Sequence, residues 1–110
     1  MKLPNNQNAY VPLTKLLDYL LSETHSVGKA KAKLLRSVGF NEANVQLLKK
    51  GLLDIAHTQD VEEEITTPHG VKYVVYGDMA TPVGLVIKMR TIWIIDNGQE
   101  RPRFVTAYPL

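Results

Sequence analysis

Three turn signals recur at nearly even spacing in the second half of the chain, and they constrain its fold more than any other feature. They are Pro68-His69-Gly70, Pro82-Val83-Gly84 and Asn97-Gly98. The segments around them are rich in β-branched and aromatic residues, which predicts strands at about residues 61–66, 71–79, 85–95 and 103–108. Because short turns join antiparallel neighbours, the sequence predicts a four-stranded antiparallel β-meander.

The first half of the chain follows a helical period instead. Helices are expected at about residues 12–21, 27–38 and 41–57, with Pro12 in a first turn and Asn41 as an N-cap. Helices followed by strands are typical of an α+β fold. We therefore expect one domain, residues 1–110, with three N-terminal helices packed on one face of the sheet and the other face partly open.

The alternation of the strands predicts which side chains share a face. On the third strand, Lys88 and Arg90 interrupt a row that is otherwise apolar. On the last strand, simple alternation places Phe104, Thr106 and Tyr108 together. Only the register between the two strands decides whether Arg90 shares a face with Thr106 or Tyr108.

Bulk composition excludes several classes of function. The chain has no cysteine, so disulfides, zinc–thiolate sites and thiol nucleophiles are excluded. No signal peptide, bilayer-spanning segment, Walker loop or Rossmann loop is visible, which favours a cytoplasmic protein without a membrane role. The three histidines are far apart in sequence, so neither a metal site nor a cofactor is expected. A net charge of +2 permits an anionic partner without requiring one.

Lys31 is out of place in the second predicted helix. It falls in the middle of an apolar stripe formed by Val27, Ala30, Leu34, Leu35 and Val38. A lysine there either extends along its neighbours, pairs with another group or faces a cleft. His25 precedes the first turn of this helix, whose exposed N–H groups form a natural anion-binding site. A histidine at such a position is more often a helix cap or a surface residue.

The remaining side-chain chemistry is imidazole, ammonium, guanidinium and hydroxyl. These groups suffice for cleavage of RNA by its own 2′-hydroxyl, which needs proton transfer and cationic stabilisation of the phosphorus centre. The ordinary alternatives stay open, since Arg90 is also explained as a half-buried paired residue and Thr106 and Tyr108 as common strand residues.

Several segments resemble a bacterial family of small uncharacterised domains. They are Met1-Lys2-Leu3-Pro4-Asn5, Leu16-Leu17-Asp18-Tyr19, His25-Ser26-Val27-Gly28 with Lys31-Ala32, Arg90-Thr91 with Trp93-Ile94, and Pro102-Arg103-Phe104-Val105-Thr106-Ala107-Tyr108. Similar domains form the C-terminal tips of polymorphic toxins and of some phage head proteins. Those tips are grouped with the barnase/EndoU/colicin/RelE ribonucleases, in which helices pack on a four-stranded antiparallel sheet.

The resemblance implies a metal-independent ribonuclease-like fold and a role for each matched residue. His25 is expected as a general acid or base, Lys31 as a phosphate-stabilising cation, Arg90 as added charge, and Thr106 or Tyr108 as a holder of the scissile phosphate. Substrate contacts are expected at Gly28, Lys88 and Arg103.

The alternative to an enzyme is a catalytically inactive module of the same fold that binds protein or RNA. The expected partners are therefore RNA and an inhibitor or other protein. The sequence leaves open whether the chain is a monomer or a homodimer.

Overall fold

A computed structural model describes residues 1–110 as an α+β structure in which the helices precede a four-stranded antiparallel sheet. Helix α1 begins as an α-helical turn, Leu13–Lys15, and continues in π-helical form over Leu16–Leu20. The other helices are α2, Lys29–Ser37, and α3, Val45–Thr58. The strands are β1, Val61–Thr67; β2, Gly70–Ala80; β3, Val86–Asp96; and β4, Arg103–Pro109. None of the helices has the length and apolar character that crossing a lipid bilayer requires.

Helix α2 differs from its prediction in both start and rotation. It begins at Lys29 rather than near residue 27. Of the predicted apolar stripe, Leu35 and Val38 are buried, whereas Val27 and Leu34 are 63% and 39% exposed and Ala30 is exposed as well, so that part of the prediction was wrong. The residues that are buried on this segment are Gly28, Ala32, Leu35 and Val38. The rotation follows from a close contact, because a Cβ at Gly28 would lie only 2.3 Å from the carbonyl oxygen of Tyr19. A glycine therefore lets the start of α2 pack directly on the backbone of α1.

Helix α3 is preceded by a 3₁₀ turn, Glu42–Asn44, in which the Asn41 side chain accepts a hydrogen bond from the Ala43 N–H. Its buried side chains are the predicted ones: Val45, Leu48, Leu52, Ile55 and Ala56. Gly77 brings β2 close to this helix, since a Cβ there would lie 2.8 Å from Cγ1 of Ile55. Helix α3 thus covers β2 and closes the core.

The sheet has the order β1-β2-β3-β4, so each strand pairs with its neighbour in sequence. One face carries the core, including Tyr73, Val75, Met79, Met89, Thr91, Trp93, Phe104 and Ala107. In that core, the Thr91 hydroxyl donates to the Val75 carbonyl at 2.7 Å and accepts from Nε1 of Trp93 at 2.8 Å. The opposite face, termed here the open face, is where the polar residues of β2 and β3 project.

A bulge in β4 changes the faces that simple alternation predicts. Ile92 pairs with Thr106 and Trp93 pairs with Phe104, so Val105 is an extra residue without a partner on β3. Phe104 therefore points into the core, whereas Thr106 and Tyr108 lie on the open face. The predicted grouping of Phe104 with Thr106 and Tyr108 was wrong, because it assumed an uninterrupted period of two.

Candidate functional site

A cleft of about 450 Å³ lies where α1 and the loop before α2 meet the open face of the sheet. Its lining residues come from all of these elements: Lys15, Tyr19, His25, Val27, Lys72, Ile92, Val105, Thr106 and Tyr108. The register puts Ile92 opposite Thr106 and Arg90 opposite Tyr108, so Arg90, Thr106 and Tyr108 share the open face. The bulge at Val105 is what brings Thr106 and Tyr108 to this side.

Lys31 is the centre of a hydrogen-bonded cluster at the edge of the cleft. Its Nζ donates to the Tyr19 hydroxyl and, at 2.9 Å, to Oγ1 of Thr106. The Tyr19 and Thr106 oxygens also hydrogen bond each other at 2.9 Å. Of the three explanations that the sequence left for Lys31, the structure thus shows pairing, with hydroxyl groups rather than a carboxylate.

Two further groups extend the Lys31 cluster across the sheet. Nζ of Lys31 lies 4.0 Å from the centroid of the Tyr108 ring, a cation–π contact. The Arg90 guanidinium carbon lies 5.8 Å from the same centroid. Arg90 also approaches Glu63, with Nη2 and Oε2 separated by 3.9 Å. The Tyr108 ring is thus within reach of two cations, Lys31 and Arg90.

His25 contacts the cluster through its ring but directs one nitrogen elsewhere. Its Nδ1 accepts from the backbone N–H of Val27 at 3.1 Å and of Gly28 at 3.0 Å, which caps the first turn of the helical segment. The anion-binding site expected at these N–H groups is therefore occupied by the His25 imidazole. Since Nδ1 accepts, the ring carries its proton on Nε2. In this arrangement His25 offers a hydrogen-bond donor, and its ring packs edge-on against Tyr19 with centroids 5.0 Å apart.

The charges around the cleft favour anions. Lys15 and Lys72 line it and Lys31 lies at its edge, whereas no carboxylate is among its lining residues. Burial alone would raise the pKa of the Tyr19 phenol. The hydrogen bonds that Tyr19 makes with Lys31 and Thr106, together with the positive charges of Lys31 and Lys15, outweigh this effect and hold the pKa of Tyr19 below its ordinary value. The cluster therefore stabilises negative charge at the phenol oxygen.

The three predicted substrate-contact residues lie outside this cleft. Gly28 packs against Tyr19, and its N–H is already bonded to His25. Arg103 is held by Asp96 through two hydrogen bonds of 3.1 Å. Lys88 lies farther along the open face, opposite Asp78.

Sequence reasoning missed Lys15, Tyr19 and Lys72 as cleft residues. Tyr19 did carry a signal, because it follows Lys15 by four residues on the side of α1 opposite its leucines, where an aromatic ring is unusual. Lys72 carried none, since a single lysine in a strand is ordinary. No group of three or more histidine, cysteine, aspartate or glutamate side chains is arranged to hold a metal ion.

The fold and cleft define a class: an α+β domain whose helices cover one face of an antiparallel sheet and whose other face carries a cationic cleft. The chain belongs to the family described as Domain of unknown function (DUF6883), which matches residues 2–110. A search of curated proteins finds no match.

A similar solved structure is a chain of a contact-dependent growth inhibition toxin–immunity protein complex from Klebsiella pneumoniae 342. The TM-score is 0.74 at 16% identity, and the alignment covers 94% of this chain and 95% of that one. At this identity the likeness concerns the fold.

Proposed function

We propose that the cleft binds the phosphodiester backbone of RNA and cleaves it through attack by the adjacent 2′-hydroxyl. The single observation that carries the proposal is the Lys31–Tyr19–Thr106 cluster, which opens into a cation-lined cleft free of carboxylates. Such a site attracts a phosphate and stabilises the added charge of a pentavalent phosphorus.

Each side chain has a role that its contacts support. Lys31 and Arg90 offset charge on the phosphate oxygens, and the Nε2–H of His25 donates a hydrogen bond to the same group. Tyr19, whose pKa is held below its ordinary value despite burial, is the base that takes the proton of the 2′-hydroxyl. The 2′-oxygen then bonds to phosphorus, the bond from phosphorus to the 5′-oxygen breaks, and that oxygen takes a proton from water. The products are a 2′,3′-cyclic phosphate and a 5′-hydroxyl.

The test is RNA cleavage in the presence of EDTA, comparing the wild type with Lys31→Met. The matched control is Lys33→Met, which removes an exposed lysine two residues away on the same helix. We expect wild type and Lys33→Met to give cyclic phosphate ends, and Lys31→Met to be slower by about 10²–10³-fold, as for loss of one stabiliser of developing negative charge. Wild-type protein that leaves RNA intact, or equal rates for all three proteins, would refute the proposal.

A second candidate function is binding to a protein partner without catalysis. It is favoured by the fold shared with a chain of the Klebsiella toxin–immunity protein complex. This candidate predicts a stoichiometric complex with a specific protein that protects the cleft, measured as loss of chemical labelling at Lys72. A sizing column on the purified chain separates such a complex from a homodimer.

A further inference from the structure

A row of three side chains continues the open face beyond the cleft. In the register of the sheet, Tyr76 on β2 is opposite Arg90 on β3, and Arg90 is opposite Tyr108 on β4. Because adjacent strands are about 4.8 Å apart, Tyr76 lies roughly 10 Å from Tyr108 across the sheet. The row therefore connects the Lys31 cluster with the middle of the open face.

Tyr76 is available for a ligand. The residue is 38% exposed, and the tyrosine hydroxyl engaged in side-chain hydrogen bonds is that of Tyr19, not that of Tyr76. It borders a second cavity of about 340 Å³, whose other lining residues are Gln59, Glu62, Gly77, Asp78 and Lys88.

The chemistry of this second cavity differs from that of the cleft and matches a nucleobase better than a phosphate. The carboxylates of Glu62 and Asp78 repel a phosphate, but they accept hydrogen bonds from the ring N–H and amino groups on base edges. An exposed aromatic ring offers a stacking surface to any base. On the neighbouring strand, Arg90 is opposite Tyr76 and Lys88 is opposite Asp78, so two cations lie along β3 where they can bind the backbone phosphates of that strand of RNA.

We propose that Tyr76 is a stacking subsite for one base of single-stranded RNA, next to the phosphate held by Arg90 and Lys31. This inference rests on the proposed RNA substrate and assigns its class. In a duplex the bases are stacked on each other and paired, so their faces cannot reach Tyr76. The open face thus selects unpaired RNA, with cations for the backbone and Tyr76 for a base.

The experiment measures equilibrium binding of a labelled, single-stranded 2′-O-methyl RNA at low salt, by fluorescence anisotropy. This probe has no 2′-hydroxyl, so cleavage cannot interfere. Tyr76→Leu removes the stacking ring, and Tyr76→Phe is the matched control that keeps it. Thermal melts of both variants verify that they fold.

We expect Tyr76→Leu to weaken binding by about ten-fold, within the range for loss of one base–aromatic stack, and Tyr76→Phe to stay within about two-fold of wild type. The same sequence as a duplex should compete poorly. Equal binding by wild type and Tyr76→Leu, or no binding by the wild type, overturns the proposal.

Failure of the subsite and failure of the proposed cleavage give different results. If Tyr76-dependent binding occurs but unmodified RNA is not cleaved, the subsite stands and the chemistry fails. If RNA is cleaved but the probe binds Tyr76→Leu as tightly as wild type, the chemistry stands and the subsite fails.

Discussion

The hydrogen bond from Lys31 to the Tyr19 hydroxyl should appear as a coupling energy in a double-mutant cycle. The single variants are Lys31→Met, which keeps an unbranched chain of similar length without the charge, and Tyr19→Phe, which removes only the hydroxyl. The free energy of unfolding is measured for the wild type, both single variants and the double variant. The difference between the double variant and the sum of the single ones isolates the pair.

The structure sets the expected size of that coupling. Hydrogen bonds with a charged partner contribute about 1.5–3 kcal/mol, and we take the lower end because Lys31 is only half-buried. Lys31→Met also loses the hydrogen bond to Thr106 and the contact with Tyr108, which destabilises the variant. Part of this loss is offset, because the variant no longer has to remove the lysine charge from water on folding. Tyr19 and Thr106 keep each other as partners at 2.9 Å, so no oxygen is left unpaired. We expect Lys31→Met to lose about 2 kcal/mol, with about 1.5 kcal/mol of coupling to Tyr19.

The contribution of Tyr19 should also depend on pH. Its pKa is lowered in the folded state, so the stabilising charge interaction is fully present above the unfolded pKa of about 10 and is lost as pH falls through the folded value. The gap in unfolding free energy between wild type and Tyr19→Phe should therefore widen as pH rises from the folded pKa towards 10. Lys31→Met should abolish most of this widening.

Urea denaturation at several pH values supplies all of these free energies. The matched control is a cycle between Tyr19→Phe and Lys33→Met, because Lys33 is exposed on the same helix. That cycle should be additive within about 0.5 kcal/mol. Additivity of Lys31→Met with Tyr19→Phe, or a gap that narrows with rising pH, would refute the assignment of Lys31 and Tyr19 as a coupled pair.

Three other substitutions test the packing and charge of the fold by the same denaturation assay. Gly28→Ala should destabilise by about 1–3 kcal/mol, because its Cβ would meet the Tyr19 carbonyl oxygen at 2.3 Å; stability equal to wild type would contradict this contact. Leu52→Ala, in the fully buried centre of α3, should cost about 2–5 kcal/mol, and a smaller loss would mean that the helix does not close the core. Asp96→Asn should cost less than about 1 kcal/mol, since the side chains of the Asp96–Arg103 pair are both 33% exposed. The hydrogen bond from Arg103 lowers the pKa of Asp96, so the loss of unfolding free energy in Asp96→Asn should be present above about pH 4 and should vanish as pH falls through the folded pKa. A loss that persists in acid would argue against the Asp96–Arg103 pair.

The candidate site was only partly visible in the sequence. Lys31 stood out because a charge interrupted an apolar period, and the structure places it against Tyr19 and Thr106. The sequence around Lys31 did not reveal its hydrogen-bond partner, because Thr106 is 75 residues away and produces no pattern near Lys31. His25 was predicted from its place before a helix, yet only coordinates show that its Nδ1 accepts from Val27 and Gly28.

Local chemistry determined the α+β class, the helix-then-strand order and the buried side of α3, because turn residues, β-branched runs and a strong leucine period act over a few residues. Tertiary structure decided the rotation of α2, the bulge at Val105 and the register that places Arg90 beside Tyr108. These features depend on contacts between distant segments: Gly28 on Tyr19, and β4 on β3. A short helix with a weak apolar face can rotate at little cost, and one extra residue in a strand exchanges its two faces. The cleft exists because both adjustments bring Tyr19, Lys31 and Thr106 together.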